Sequence, residues 1–140
     1  MDIRKITDDL SVAPQIQASH VPAIAAAGFR AVICNRPDGE STDQPCCSDI
    51  ETAVKAHGLV WRLQPVRSGA VSLADGQEFG ALMAELPKPV LAYCRSGTRC
   101  ATLWSLSQAG KRPLAEIVTR ANAAGYDVVA VMERVLGPAT

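Results

Sequence analysis

The sequence has few aromatic residues and no excess of charge of either sign. Aromatic side chains make up 4% of the 140 residues, and 14 basic residues balance 14 acidic ones, so the formal net charge is zero. A nucleic-acid-binding domain needs a basic face for phosphates or aromatic side chains on which bases stack. We therefore expect no nucleic-acid partner.

The sequence also lacks a long hydrophobic segment. No uncharged apolar run approaches the roughly 20 residues that span a bilayer, and the segment Met1 to Lys5 does not follow the basic-then-apolar order of a signal peptide. These absences predict a cytoplasmic protein with no membrane partner. The length and the 48% of apolar residues fit a single domain over residues 1–140.

The cysteines follow no disulfide or metal-binding pattern. They are five in number, at Cys34, Cys46, Cys47, Cys94 and Cys100. Disulfide frameworks are typical of secreted chains, so we expect free thiols. The adjacent pair Cys46-Cys47 has no Cys-x-x-Cys motif or histidine cluster beside it, and we interpret it as incidental. We interpret Cys100 as a packing residue, and we expect neither a metal nor a cofactor.

Apolar residues alternate between strand-like and helix-like spacing along the chain. Strands are predicted at 3–6, 10–13, 31–34, 59–63 and 89–93, and helices at 19–27, 48–57, 72–86, 98–109, 113–124 and 128–136. Capping boxes favour helix starts at Ser48 and Ser72. The alternation predicts an α/β fold, with a mainly parallel central sheet flanked by helices and an edge hairpin formed by the first two strands. Ligands then bind at the carboxyl ends of the strands.

The segment that carries chemistry lies between a predicted buried strand and a predicted helix. It reads Cys94-Arg95-Ser96-Gly97-Thr98-Arg99. If this loop curls around the sulfur, the N–H groups of residues 95–99 form an anion-binding nest, to which the helix dipole and the two arginines add positive charge. The same field lowers the pKa of the Cys94 thiol and makes it a nucleophile. The alternative is a buried structural thiol.

A second polar segment follows the predicted strand that ends at Cys34. Because neighbouring parallel strands end at the same edge of a sheet, Cys34 is placed to face the cleft of Cys94. The alternative for Cys34 is a thiol of the core. We assign Arg36 to the anion site together with loop residues 95–98, and Asp38 to the turn.

The Cys94 loop resembles two known patterns. Cysteine phosphatases of the tyrosine and dual-specificity type carry His-Cys, five intervening residues and Arg, whereas here Tyr93 precedes Cys94, four residues intervene before Arg99, and the next residue is Cys100. The loop is also similar to the six-residue active loop of rhodanese sulfurtransferases. That resemblance implies a smaller ring, which accepts a persulfide sulfur.

The segments 32–40 and 89–99, with Leu103-Trp104, resemble a small bacterial family. The resemblance covers the chain from its start to about Gly110. It implies the architecture of dual-specificity cysteine phosphatases, and activities described both as phosphatase and as sulfurtransferase. The domain also occurs fused to a metallo-β-lactamase-fold hydrolase of the persulfide dioxygenase kind, and the resemblance makes such a protein a candidate partner.

The choice between the two activities depends on a general acid. A cysteine phosphatase needs one to protonate the leaving oxygen, and residues 64–73, where its loop is expected, contain no carboxylate. Asp38 and Glu40 remain candidate acids, whereas Asp75 is better explained as a helix cap. Transfer of sulfane sulfur needs no proton on the leaving group.

We therefore predict a sulfurtransferase with Cys94, Arg99 and Cys34 as catalytic residues. It would move sulfur from thiosulfate, or from a persulfide such as glutathione persulfide, to a thiol acceptor such as glutathione through a Cys94 persulfide. Cys34 would receive or resolve that persulfide. The alternatives are a cysteine-dependent phosphatase and a non-catalytic module that binds an anion or a phosphopeptide.

Overall fold

The protein is a five-stranded, mainly parallel sheet flanked by helices, seen in a computed structural model that describes residues 1–137. The strands are β1 (Arg4–Lys5), β2 (Leu10–Ala13), β3 (Ala31–Cys34), β4 (Val60–Leu63) and β5 (Val90–Tyr93). The sheet order is β1-β2-β5-β3-β4, and only β1 runs antiparallel to its neighbour. The predicted α/β fold with an edge hairpin is confirmed.

Six helices connect and cover these strands. They are α1 (Val21–Ala26), α2 (Cys47–Ala56), α3 (Leu73–Glu85), α4 (Thr98–Ser107), α5 (Leu114–Ala123) and α6 (Val129–Leu136), and a short 3-10 turn at Ala18–His20 precedes α1. Each helix overlaps a predicted one, with small shifts at its ends, where turns fray. None of the helices in the described part is long and apolar enough to cross a membrane.

The two faces of the sheet bury separate apolar clusters. Successive side chains of a strand point to opposite faces. In β5, Val90 and Ala92 therefore pack in the cluster that contains α3 to α6, whereas Leu91 and Tyr93 pack in the cluster that contains α1 and α2. Cys94 continues the alternation and belongs to the first cluster.

The two predicted capping boxes have different outcomes. The box at Ser72 is confirmed, since the Asp75 N–H donates to Ser72 Oγ (3.2 Å) and the Ser72 N–H donates to Asp75 Oδ2 (3.0 Å). The box at Ser48 is wrong, because helix α2 already begins at Cys47. The N–H of Cys47 donates to Asp38 Oδ1 (2.9 Å), so a carboxylate from the preceding loop performs the capping that Ser48 was expected to perform.

Sheet order places the end of β5 in the middle of the sheet. The Cys94 N–H donates to Ala13 O (3.3 Å) at the end of β2, and the Asn35 N–H donates to Tyr93 O (2.9 Å) from the end of β3. The loop that starts at Cys94 therefore begins between two neighbouring strand ends. This is the edge at which parallel α/β sheets bind ligands.

Candidate active site

The Cys94 loop turns sharply between β5 and α4. Cys94 is fully buried, and three residues later the N–H of Gly97 donates to Cys94 Sγ (3.1 Å). Gly97 has φ of +92°, a conformation that side chains other than glycine rarely adopt. A Cβ at Gly97 would also meet the hydroxyl of Tyr126. Glycine is therefore required at this position on both grounds.

The environment of Cys94 favours its thiolate. The pKa of the thiol is lowered to about 6, chiefly because the Cys100 thiol donates to Cys94 Sγ and overcomes the opposing effect of burial. The backbone N–H groups of Cys100 and Gly97 and the positive charge of Arg99 lower it further. Above about pH 6 the sulfur is thus mostly ionised and nucleophilic.

Cys100 is the hydrogen-bond donor behind the nucleophile. It is completely buried, and burial together with the neighbouring Cys94 sulfur raises the pKa of Cys100 well above its ordinary value, so this thiol keeps its proton. The Cys100 thiol donates to Asn35 Oδ1 (3.2 Å) in the structure, and its single proton can turn instead to the ionised Cys94 sulfur. The ionised Cys94 is the stronger acceptor of the two. Cys100 is therefore more than the packing residue expected from the sequence.

We expect Cys100→Ala to raise the pKa of the Cys94 thiol above its value of about 6. The rise should be about one pH unit or more, because a hydrogen bond to a charged group is worth about 1.5 to 3 kcal/mol. Thiolate absorbance in the ultraviolet, recorded against pH with Cys94→Ser as the blank, measures this pKa. Cys100→Ser is the matched control, since its hydroxyl still donates. An unchanged pKa in Cys100→Ala would contradict the assignment of Cys100 as donor.

Arg99 lies on the first turn of α4 and is held in a fixed orientation. Its Nη1 donates to Glu40 Oε2 (2.8 Å) and to Val66 O (2.9 Å), and its Nη2 donates to Glu40 Oε1 (2.8 Å). A guanidinium has five N–H donors. Within residues 1–137, these bonds leave Nε–H and one Nη2 hydrogen available to an anion bound at the loop.

Arg36 lies behind Glu40 and not in the anion-binding loop. The Nε of Arg36 donates to Glu40 Oε1 (2.9 Å), Nη1 donates to Gln15 Oε1 (3.1 Å), and Nη2 donates to Ser41 Oγ (3.3 Å). These contacts commit all three guanidinium nitrogens, and the side chain is 4% exposed. Arg36 therefore acts on the site through Glu40, which it shares with Arg99.

The two carboxylates considered as acids both have structural partners. Asp38 caps α2 through the N–H of Cys47. Glu40 is bound by Arg99 and Arg36, whose hydrogen bonds lower the pKa of its carboxyl to about 2. Glu40 is therefore ionised over the working range of most enzymes and has no proton to donate.

Cys34 lies on the face of the sheet opposite to Cys94. It pairs in register with Tyr93, and both side chains belong to the cluster under α1 and α2. Cys34 Sγ lies 3.5 Å from Cys47 Sγ and 3.3 Å from Arg36 O, and burial raises the pKa of the Cys34 and Cys47 thiols. The two thiols therefore do not share the expected cleft. Cys34 pairs with Tyr93, and Cys94 is the next residue after Tyr93, so the Cys94 side chain points to the opposite face of the sheet.

A cavity of about 600 Å³ opens over the loop. Its floor includes Arg95, Ser96, Thr98 and Arg99. Its walls are formed by the segments before α2 and α3, by the first half of α4 and by α6 with the residue before its cap; the lining residues there are Glu40, Ser68, Gly69, Val71, Thr102, Asp127, Ala130, Val131 and Arg134. The sequence offers no signal for the residues at α6, because they lie some 30 positions beyond the loop. Within residues 1–137, no group of three or more His, Cys, Asp or Glu side chains is arranged to hold a metal ion.

Two buried amide side chains, those of Asn35 and Gln64, lie next to the loop, and the sequence gives no signal for them. The Nδ2 of Asn35 donates to Gln64 O (3.0 Å) and to Gln64 Oε1 (3.2 Å), and Gln64 Nε2 donates to Asp75 O (2.9 Å). Both amide side chains are buried. They connect the ends of β3 and β4 to α3 directly beneath Cys100.

Residues 2–111 match the family described as "Beta-lactamase hydrolase-like protein, phosphatase-like domain". The chain belongs to this family. A curated member, the beta-lactamase hydrolase-like protein of Agrobacterium fabrum, is 34% identical over 128 residues, which cover 90% of this chain and 30% of that protein. The chain thus spans less than a third of the length of this relative.

Solved structures show the same fold in phosphatases. A candidate phosphatase from Neisseria meningitidis Z2491 is 37% identical, covers 96% of both chains and has a TM-score of 0.87. Human DUSP28 is 16% identical, covers 89% of this chain and 82% of its own, and has a TM-score of 0.63. The predicted family and the predicted cysteine-phosphatase-like architecture are confirmed.

The predicted sulfurtransferase activity is wrong. The family is described as phosphatase-like and the 37% identical structure is that of a candidate phosphatase, so the comparisons favour the phosphatase alternative. The prediction relied on a loop one residue short and on the absence of a carboxylate at 64–73. Neither feature excludes phosphate chemistry. The folded chain supplies the Gly97 N–H that points to the Cys94 sulfur, the Arg99 guanidinium in a fixed orientation, and carboxylates that line the cavity.

Proposed function

We propose that this domain is a cysteine-dependent phosphatase that hydrolyses phosphate monoesters through a covalent Cys94 phosphocysteine. The observation that carries the proposal is the buried Cys94 sulfur, whose pKa of about 6 makes it a thiolate, at the start of a loop whose residues Arg95 and Arg99 line a cavity. The confirmed phosphatase-like fold supports the same reaction.

In the first step, the Cys94 thiolate donates an electron pair to phosphorus. An S–P bond forms while the P–O bond to the alcohol or phenol breaks, and the leaving oxygen takes up a proton. In the second step a water oxygen attacks phosphorus, the S–P bond breaks, and the electron pair returns to sulfur as thiolate. The products are the free alcohol or phenol and inorganic phosphate.

The site supports the negative charge of the phosphoryl group during transfer. The free Nε–H and Nη2 hydrogen of Arg99 and the N–H groups of the loop are the donors for its oxygens. Glu40 is a positioning residue in this scheme, because it binds the other side of the same guanidinium. Preorganised donors of this kind need no reorientation when charge moves onto the phosphoryl oxygens.

The test is turnover of nitrophenyl phosphate by the 140-residue protein, followed by acid quench and mass spectrometry. We expect steady release of phosphate and a fraction of the protein carrying one phosphoryl group on the peptide that contains Cys94. Phosphate binding without turnover would overturn the proposal and favour a non-catalytic anion-binding module. Turnover with no phosphorylated Cys94, even after quenching within the first turnover, would overturn the covalent mechanism.

A further inference from the structure

The cavity over the loop has two carboxylates among the described residues that line it, Glu40 and Asp127. Glu40 is bound to Arg99 and Arg36, and both of its oxygens accept hydrogen bonds from these guanidinium groups. It therefore has no oxygen free to act on a leaving group. Asp127 has no ion-pair partner within residues 1–137, and its side chain is exposed to the cavity.

The backbone around Asp127 is anchored directly to the Cys94 loop. The hydroxyl of Tyr126, the preceding residue, donates to Ser96 O (3.3 Å), and the ring fills the space beside Gly97. On the other side, Arg4 Nη1 donates to Ala124 O (3.1 Å). These two contacts hold the segment 124–126 in place, and with it the Asp127 carboxyl at the edge of the cavity.

The hydrogen bonding of Asp127 leaves one carboxyl oxygen for chemistry. Oδ1 accepts from the Val129 N–H (3.1 Å) at the start of α6, and Oδ2 has no partner in the described part of the chain. Asp127 also lies beyond residues 2–111, the part that matches the family. This carboxylate therefore comes from the chain that follows both Cys94 and the matched region.

We propose that Asp127 is the general acid and base of the phosphatase reaction, an inference that rests on the function proposed above. As the P–O bond breaks, Asp127 gives its carboxyl proton to the leaving oxygen and becomes a carboxylate. In the second step this carboxylate takes a proton from the attacking water. Hydrolysis of the phosphocysteine thus regenerates the Asp127 acid and the Cys94 thiolate together, and every proton is accounted for.

The test compares Asp127→Asn with the wild type on two aryl phosphates that differ in leaving group. Phenol is a poor leaving group and needs a proton, whereas dinitrophenol departs as a stable anion. We expect Asp127→Asn to lower kcat for phenyl phosphate about 100-fold or more, and kcat for dinitrophenyl phosphate about threefold or less, in line with general acid catalysis. An asparagine side-chain oxygen can still accept from the Val129 N–H, so this hydrogen bond at the start of α6 is retained.

Glu133→Gln is the matched control. Glu133 is an exposed carboxylate on α6, the helix that follows Asp127, and it does not line the cavity, so its loss should leave both rates unchanged. If Asp127→Asn lost activity equally on both substrates, or on neither, the assignment of Asp127 would be overturned. Turnover by the wild type in the same experiment would leave the phosphatase proposal intact. If the wild type hydrolysed neither ester, the phosphatase proposal itself would fail, and this inference with it.

Discussion

Cys94→Ser is expected to lower kcat for an aryl phosphate about 10⁴-fold or more, the loss typical of removing an activated nucleophile. The lowered pKa of about 6 makes the Cys94 sulfur an anion at neutral pH. A serine hydroxyl in the same place stays protonated and has no general base among its close contacts. Steady-state release of phosphate measures the loss, and the phosphorylated peptide should disappear with it.

The same variant separates binding from chemistry. The Arg99 guanidinium is held by Glu40 and by Val66 O and not by the sulfur, so Cys94→Ser should still bind phosphate. Cys46→Ser is the matched control, because Cys46 is the exposed cysteine of the chain and lies outside the cavity. Turnover retained in Cys94→Ser at the level of the Cys46 control would mean that another group is the nucleophile.

Arg99→Lys is expected to reduce kcat/KM about 100- to 1,000-fold, the loss seen when one preorganised donor to a developing anion is removed. A lysine keeps the positive charge but has one nitrogen, which cannot bind both oxygens of Glu40 and the phosphoryl group at once. Most of the loss should appear in kcat, because the missing donors matter most as charge develops on the transferred group. Initial rates over a range of ester concentrations separate kcat from KM.

Arg112→Lys is the control for this exchange. Arg112 forms a partly exposed ion pair with Glu116 away from the loop, so the exchange there should leave kcat/KM unchanged. Phosphate binding to Arg99→Lys, compared with the wild type, shows whether the site keeps its shape. If folded Arg99→Lys kept the wild-type kcat/KM, the reaction would need only a positive charge at this position. It would not need a guanidinium that binds Glu40 and the phosphoryl group at once.

Features that depend on neighbours in the sequence were predictable. Apolar periodicity located each strand and helix, and the Ser72 box is formed by residues three positions apart. Gly97 and Arg99 are close enough to Cys94 that a turn between strand and helix brings them together. The resemblance carried by the same segments pointed correctly to the family.

Features that depend on pairing between distant segments were not predictable. The direction of the Cys34 side chain follows from its register with Tyr93, which a sequence does not state. The sequence left Asp38 as a candidate acid, whereas in the structure its carboxylate accepts from the N–H of Cys47 at the start of α2. The position of Asp127 depends on how α5 and α6 pack against α4.

The sequence by itself determined the α/β architecture, the family and the position of the Cys94 loop, because periodicity, turn chemistry and a contiguous motif act over short stretches of chain. Only the tertiary structure decided which groups surround the Cys94 sulfur. Cys100 becomes a donor through burial behind the sulfur, Glu40 becomes the partner of Arg99 across 59 positions, and Asp127 reaches the cavity through the packing of Tyr126 on the loop. The protonation and orientation of these groups depend on burial and on long-range contacts, and both arise only when the chain has folded.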